Sequence, residues 1–361
     1  MSKTSLTTAA KGNQVISVTS RGATKEFSAL ITDELPDLEM VSKGQCFPMD
    51  LYDEQAAADA ASAVIGSSEQ QRRESGNLSD GNGQQGFLGT DDRYLAGLSL
   101  DGRYTMLPDV PLRNGGSIMN QPQHDLFADG NAVPSETAAP KKLVKRSAIT
   151  DDALAHFQEP YQERIGKEDI FYYIYGLLHS EQYRERYADN LSKQLPRIPR
   201  MKHYRDFAAF SQAGRDLAAL HLRYEQVAMY QGVKLSGSLK GLKLTEQQII
   251  GGADDDFCVV KMKFAKKDDK TKVIYNGKIT VENIPEAAYD YIVNGKSSLE
   301  WVMERQAVTT DKKSGITNDA NDWARDSMNN PRYPLELFLR VITVSLETQK
   351  IVGSLPDLDI L

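Results

Sequence analysis

The chain has 361 residues, 40% of them hydrophobic, enough to bury at least one core and to form one or two domains. Its 43 Lys+Arg stand against 50 Asp+Glu, a formal net charge of −7. That excludes a histone-like protein that coats nucleic acid by bulk charge, and leaves room for a local basic groove.

The opening MSKTSLTTAAKGNQ has no apolar centre and is not a signal peptide. From Asn13 to Tyr52, ISVTS, FSALIT and QCFPMDLY read as three strands. From Asp53 to about Lys145 the chain is rich in Ala, Ser, Gly, Asn and Gln. Ser67 to Gly86 is low-complexity and cannot offset its ordering entropy, Gly89 to Leu112 suits short strands or turns, and the stretch ends on Lys141, Lys142, Lys145 and Arg146. So long a structureless run inside a compact domain reads as an insertion or linker.

After Ser147 the pattern is globular. Thr150 is placed to cap a helix with Asp151 and Asp152 in its first turn. Ile170, Phe171, Ile174, Leu177 and Leu178 follow helical spacing, and Ser180 caps a short charged helix ending near Leu191. LPRIPRMKH (Leu195 to His203) must be extended because of its prolines. Phe207, Phe210, Leu217, Leu220 and Tyr224 then mark a long amphipathic helix.

From Asp256 to Lys267 the period becomes strand-like, with Val260, Met262 and Phe264 on one face and Lys261 and Lys263 on the other. KKDDK is a turn, Thr271 to Val281 returns, and Asn276-Gly277 turns again. Pro285 is expected to start a helix that Asn294-Gly295 ends. Helices follow around Trp301 and Trp323 and from Pro334 to Val352. The apolar run Leu335 to Leu346 carries Glu336 and Arg340 and is too short to cross a bilayer, so it is a buried helix of a soluble protein. The expected fold is α+β: residues 1–52 a short β-rich segment, 53–147 the polar insertion, and 148–361 a mostly helical domain with a small antiparallel meander.

Motifs for chemistry are missing. There is no Walker nucleotide loop, no Asn-Pro-Pro-Tyr or Asp-Pro-Pro-Tyr segment to hold a flipped base, and no Gly-rich strand–helix turn for a nucleoside cofactor. Pro36-Asp37-Leu38-Glu39 lacks the following Glu-x-Lys of a metal nuclease. Asp254, Asp255 and Asp256 suit a hard cation, though a solvated acidic turn is the simpler reading. His124, His156, His179, His203 and His221 show no paired ligand spacing, and no Ser–His–Asp or Cys–His set can be drawn from the sequence. Cys46 and Cys258 lie too far apart for a zinc knuckle or a disulfide framework, which points to a reducing cytoplasm.

Two basic clusters stand out. Lys193, Arg197, Arg200, Lys202 and Arg205 ride on the proline-stiffened loop and the next helix entrance, where arginine can reach phosphate or a guanine edge with little entropy to lose. Lys261, Lys263, Lys266, Lys267, Lys270 and Lys272 lie on the meander; they either follow a nucleic-acid backbone or keep an edge strand soluble. A polar loop, Thr310 to Asn321, offers Lys312, Lys313, Asn318 and Asn321, which either read bases or cap helices.

Several long blocks carry a resemblance. ITDDALAHFQEPY, GKEDIFYYIYGLLHSEQYRERYADNLSKQLPRIPR, FSQAGRDLAALHLRYE, YDYIVNGKSSLEWVMERQAVTTDKKSGITNDANDWA and PRYPLELFLRVITVSLETQKIV resemble the C-terminal target-recognition region of Type ISP restriction–modification enzymes. Asn13–Tyr52 is similar to the stretch just after their methyltransferase. In that family a nuclease, a helicase-like translocase, an N6-adenine methyltransferase and a specificity domain follow in order. The resemblance implies a non-catalytic reader of a short duplex sequence. No cofactor is expected in this chain, since S-adenosylmethionine, ATP and Mg belong to the upstream parts.

The expected partner is double-stranded DNA, with no membrane. The implied DNA contacts are Lys193, Arg197, Arg200, Lys202, Lys261, Lys263, Lys266 and Lys267, with Lys312 and Asn318 as base readers. A start close to the specificity region suggests a split or truncated product, and the polar insertion is longer than the family's. A specificity subunit that docks on a separate helicase–methyltransferase chain is an alternative. An adenine methyltransferase is a weaker one, because its cofactor turn and base-holding tetrapeptide are absent.

Overall fold

The structure is a computed structural model describing residues 12–20, 22–36, 40–54 and 143–361. Apolar–polar alternation makes a three-stranded antiparallel sheet of β1 (Val15–Val18), β2 (Ala29–Thr32) and β3 (Gln45–Pro48), with β1 in the centre. Ile16 pairs with Ile31 on one side and Phe47 on the other. After Met49, β4 (Asp50–Glu54) pairs antiparallel with β5 (Leu143–Ser147). The polar stretch therefore leaves and returns on neighbouring strands. Composition alone did not reveal β5, which is exposed and held partly by Lys145 to Asp50 at 2.8 Å. Residues 55–142, including the low-complexity run, the expected strands of 89–112, His124 and Lys141–Lys142, lie outside the described residues.

Thr150 caps α1 (Asp151–Gln158), its hydroxyl accepting the Ala153 N–H at 3.1 Å. α2 (Lys167–His179) is buried continuously from Ile170 to His179 because β2 and α5 pack against it. Short helices α3 (Glu181–Arg186) and α4 (Ala188–Leu191) follow, then the extended proline loop, then α5 (Tyr204–Leu222). α2 and α5 meet backbone to backbone at Gly176 and Gly214. A Cβ on Gly214 would sit 1.8 Å from the Tyr172 carbonyl oxygen, and one on Gly176 2.2 Å from that of Phe210. The helix-interior cost of each glycine, about 0.5–1 kcal/mol, is the condition for that contact.

β6 (Lys234–Ser236) enters a four-stranded antiparallel sheet; β7 (Lys243–Leu244) and β8 (Ile249–Ile250) form a separate pair. The large sheet, in order β6-β11-β10-β9, is completed by β9 (Lys263–Lys266), β10 (Asp269–Ile274) and β11 (Thr280–Glu282). The expected strand from Asp256 begins late, since Asp254–Phe257 is a 3-10 turn. Val260 is 68% exposed rather than on the apolar face, and Val259 is buried in its place. The cause is Asn321, whose side-chain amide pairs with both the N–H and the carbonyl of Val259 and turns that residue inward.

The helix expected from Pro285 is also replaced. Glu286–Tyr289 makes one 3-10 turn, and β12 (Ile292–Val293) and β13 (Lys296–Ser297) form a hairpin. Asn294 and Gly295, with φ of 51° and 76°, are its tight turn and not a helix cap. α6 (Ser298–Arg305) follows, capped by Ser297. A further hairpin, β14 (Thr309–Thr310) and β15 (Thr317–Asn318), leads to α7 (Ala320–Asp322), a π-helical segment Trp323–Ser327, and α8 (Tyr333–Gly353).

Two apolar cores result. One joins the first sheet to α1, α2 and α5; the other joins the β6–β11 sheet to α6 and the first half of α8. α8 spans both: Leu335 to Ile342 enter the second, and Ile351 packs on the first. Glu336 and Arg340 are buried as expected of this helix and are fully engaged. Glu336 accepts from the Ile249 N–H at 3.1 Å and the Asn330 amide at 2.9 Å; Arg340 donates to the carbonyls of Val227 and Gln247. No described helix is long and apolar enough to cross a membrane.

Candidate nucleic-acid interface

The proline loop is rigid. Buried tyrosine hydroxyls donate to three of its carbonyls, each at 2.6 Å: Tyr183 to Arg197, Tyr173 to Pro199 and Tyr161 to Met201. Burial pushes the Tyr161 hydroxyl up to about 12, and the other two well above the ordinary tyrosine value, so they stay protonated donors. The loop's cations are largely engaged. Arg200 turns inward to the His156 carbonyl at 2.7 Å and Glu159 at 3.0 Å, Lys202 pairs with Asp359 at 2.5 Å, and Arg205 with Asp206 at 3.2 Å. Arg197 also has an interacting partner. Lys193 is exposed and makes no ion pair among the described residues.

On the meander the lysines divide into two groups. Lys272 and Lys234 flank Glu282 across the sheet, and the Lys272 hydrogen bond holds the Glu282 carboxyl below its usual range. Lys270 pairs with Glu300 at 3.2 Å and lies over the Tyr289 ring. By contrast, Lys261, Lys263, Lys266 and Lys267 are exposed and make no ion pair among the described residues. Lys261 and Lys263 project oppositely to buried Met262 and half-buried Phe264. Lys266 and Lys267 stand at the β9–β10 turn.

The β14–β15 hairpin adjoins this ribbon, since the Val308 N–H donates to the Val260 carbonyl at 2.8 Å. Lys312 and Lys313 lie at its exposed tip without ion pairs among the described residues. Asn318 and Thr309, which pair across the hairpin, line an open cavity of about 640 Å³ with Trp323 and Leu337. Asn321, by contrast, is buried and structural. The acidic triplet is dispersed over three cations: Asp254 pairs with Arg332 at 2.9 Å, Asp255 with Arg325 at 3.6 Å and Asp256 with Lys278 at 2.6 Å. Among the described residues no three His, Cys, Asp or Glu side chains converge as a metal centre requires.

Exposed Val260, Ile316 and Trp323 beside the ribbon escaped the sequence reading. The signal available was the β-branched content of VTT and GIT flanking the DKKS turn. The β9 segment and its turn thus carry four exposed lysines, and the hairpin joined to that segment at Val308 and Val260 carries two more.

Comparisons with known proteins identify the family. A family model described as the Type ISP C-terminal specificity domain matches residues 1–337. Among curated proteins none matches. Three solved structures are similar. A nuclease-deletion mutant of the Type ISP restriction–modification enzyme LlaGI, in complex with a DNA substrate mimic, is 26% identical over 97% of this chain and 18% of its own, with a TM-score of 0.58. The ATP-dependent Type ISP enzyme LlaBIII bound to DNA is 28% identical over 97% and 16%, with a TM-score of 0.63. The DrdV–DNA complex, solved by cryo-electron microscopy, is 28% identical over 96% and 25%, with a TM-score of 0.56. The present chain thus spans a quarter or less of each of these proteins.

Proposed function

The chain belongs to the Type ISP C-terminal specificity domain family, and on that premise we propose that it is a reader of double-stranded DNA sequence, without covalent chemistry of its own. The observation that carries the reading is six exposed lysines that make no ion pair among the described residues, Lys261, Lys263, Lys266, Lys267, Lys312 and Lys313, on two segments joined at Val260 and Val308 in a chain that is acidic as a whole. Cations on phosphates set register, and side chains at the groove edges choose sequence. The similar proteins LlaGI, LlaBIII and DrdV were solved with DNA or a mimic of it, which supports the same partner here.

Within the first basic cluster, Lys193 is exposed and makes no ion pair among the described residues, while Arg200 and Lys202 chiefly brace the loop. Free Cys46 and Cys258 suit a reducing cytoplasm. The test is selection of bound duplexes from a random pool with the full chain. Enrichment of one short sequence is the expected result; recovery of an unbiased pool overturns sequence reading.

A further inference from the structure

The β14–β15 hairpin contributes nothing to either core. Every residue from Thr309 to Ile316 and on through Asn318 is exposed. An isolated two-stranded hairpin is marginal in water, yet this one is laced by hydrogen bonds within its own tip. The Asp311 carboxylate accepts from the N–H groups of Lys313 at 3.0 Å and Ser314 at 2.7 Å and from the Ser314 hydroxyl at 2.8 Å, and those bonds hold its pKa below the usual range. The Asp311 N–H donates to the Ile316 carbonyl at 2.9 Å, Gly315 takes a φ of 71°, and the hydroxyls of Thr310 and Thr317 bond at 2.9 Å. At the base, Val308 is tied to Val260, and Asn321 to Val259.

A tip so preorganised, bearing Lys312, Lys313 and an Ile316 that is 63% exposed, has lost in advance the entropy that binding would otherwise cost. Its charge complements a polyanion. Its width suits the major groove, which at roughly 12 Å admits a two-stranded ribbon without the widening that the roughly 6 Å minor groove would need. The apolar feature that base pairs present in the major groove is the thymine 5-methyl group.

We propose that this hairpin is inserted in the major groove with Ile316 against a thymine methyl and Lys312 and Lys313 on the flanking phosphates, an inference that rests on the DNA-reading function above. Ile316 then determines specificity, whereas the β9 lysines supply affinity for any duplex.

The experiment compares the full chain and Ile316→Ala on three probes: the duplex recovered from the pool, the same duplex with each thymine in turn replaced by deoxyuridine, and a random duplex of equal length. Wild type is expected to lose about fourfold in affinity at one deoxyuridine position, the worth of one buried methyl group. Ile316→Ala is expected to lose at least that on the selected duplex, to be indifferent to deoxyuridine at that position, and to bind the random duplex unchanged. Equal sensitivity of both proteins to deoxyuridine at every position overturns the assignment. So does an Ile316→Ala protein that binds the selected duplex as wild type does, or one that loses a concentration-dependent dimer instead, which would give the tip to a second copy. Wild type that binds no duplex at all removes the DNA-reading function itself, and this inference with it. Because Ile316 is solvent-exposed, the substitution leaves the fold intact.

Discussion

Ion pairing divides the meander lysines into two groups, and salt titration separates them. Each lysine that neutralises one phosphate releases counterion worth about 0.9 in the slope of log affinity against log salt. Between about 50 and 200 mM salt that is roughly a 3.5-fold change in affinity per lysine. Lys261, Lys263, Lys266 and Lys267 make no ion pair among the described residues. Replacing any one by Ala should shallow the slope by about 0.9, and replacing all four by about 3.6. Lys272 is the control. Its ammonium is bonded to Glu282, so it presents a dipole rather than a charge to an approaching duplex, and Lys272→Ala should leave the slope within experimental error. Lys202→Ala should behave likewise because of Asp359. The assay is fluorescence anisotropy on a random duplex across a salt series, with thermal melts to confirm folding. A slope that falls as much for Lys272→Ala as for Lys263→Ala would refute the reasoning, since pairing would then not decide which lysines reach phosphate.

Two further predictions concern the scaffold. Gly214→Ala drives a methyl to 1.8 Å from the Tyr172 carbonyl and must part α2 from α5, at a cost of about 3 kcal/mol or more, beyond ordinary overpacking. Gly353→Ala at the end of α8 meets nothing within 4 Å and should be neutral or slightly stabilising; calorimetric melts that fail to separate the two variants would count against backbone contact as the reason for the glycine. Stability should also fall with acid. Burial holds His221 neutral, its pKa lowered to about 3, with its ring nitrogens bonded to Tyr175 and Thr348; His179 is likewise held well below its ordinary value by burial. The unfolded chain takes up protons below about pH 6.5 that the folded one refuses, so stability is complete above that pH and declines below it. The slope is up to about 1.4 kcal/mol per pH unit for each such histidine. Urea midpoints at pH 7 and pH 5 should differ accordingly, and His221→Gln should flatten the difference; a midpoint that rises on acidification would contradict the buried neutral ring.

Local signals were legible where one residue acts on its own neighbours. Thr150 caps α1, the prolines extend the 195–203 loop, and Ile170 to Leu178 lie on a helix, because each depends on spacing within a turn or two. The failures came where a distant group intervened. Val260 alternates correctly with Met262 and Phe264, yet Asn321 seizes the Val259 backbone from 62 residues away and reverses which valine is buried. Asn294-Gly295 is chemically suited to a helix cap and to a two-residue hairpin. The hairpin prevails because the Asn294 side chain also accepts the Ser42 N–H at 3.1 Å, fastening the turn to the region of the first sheet.

For the interface, residue types were legible and charge state was not. Lys202, Lys263 and Lys272 look alike in sequence; what separates them is Asp359 and Glu282, both brought in by tertiary contacts. Fields from exposed charges decay within about 8–10 Å in physiological salt. Within that length an unpaired lysine attracts a phosphate as a full charge, while one with a carboxylate at hydrogen-bond distance presents only a dipole. The net charge of −7 thus says little about what the chain attracts. What matters is that Lys202, Lys270, Lys272 and Lys278 each hold a carboxylate at hydrogen-bond distance, whereas the lysines of the β9 segment and the hairpin tip make no ion pair among the described residues. Moving one carboxylate onto the β9 segment, as in Ala265→Glu between Lys263 and Lys266, should therefore weaken duplex binding more than any change of equal charge on the proline loop.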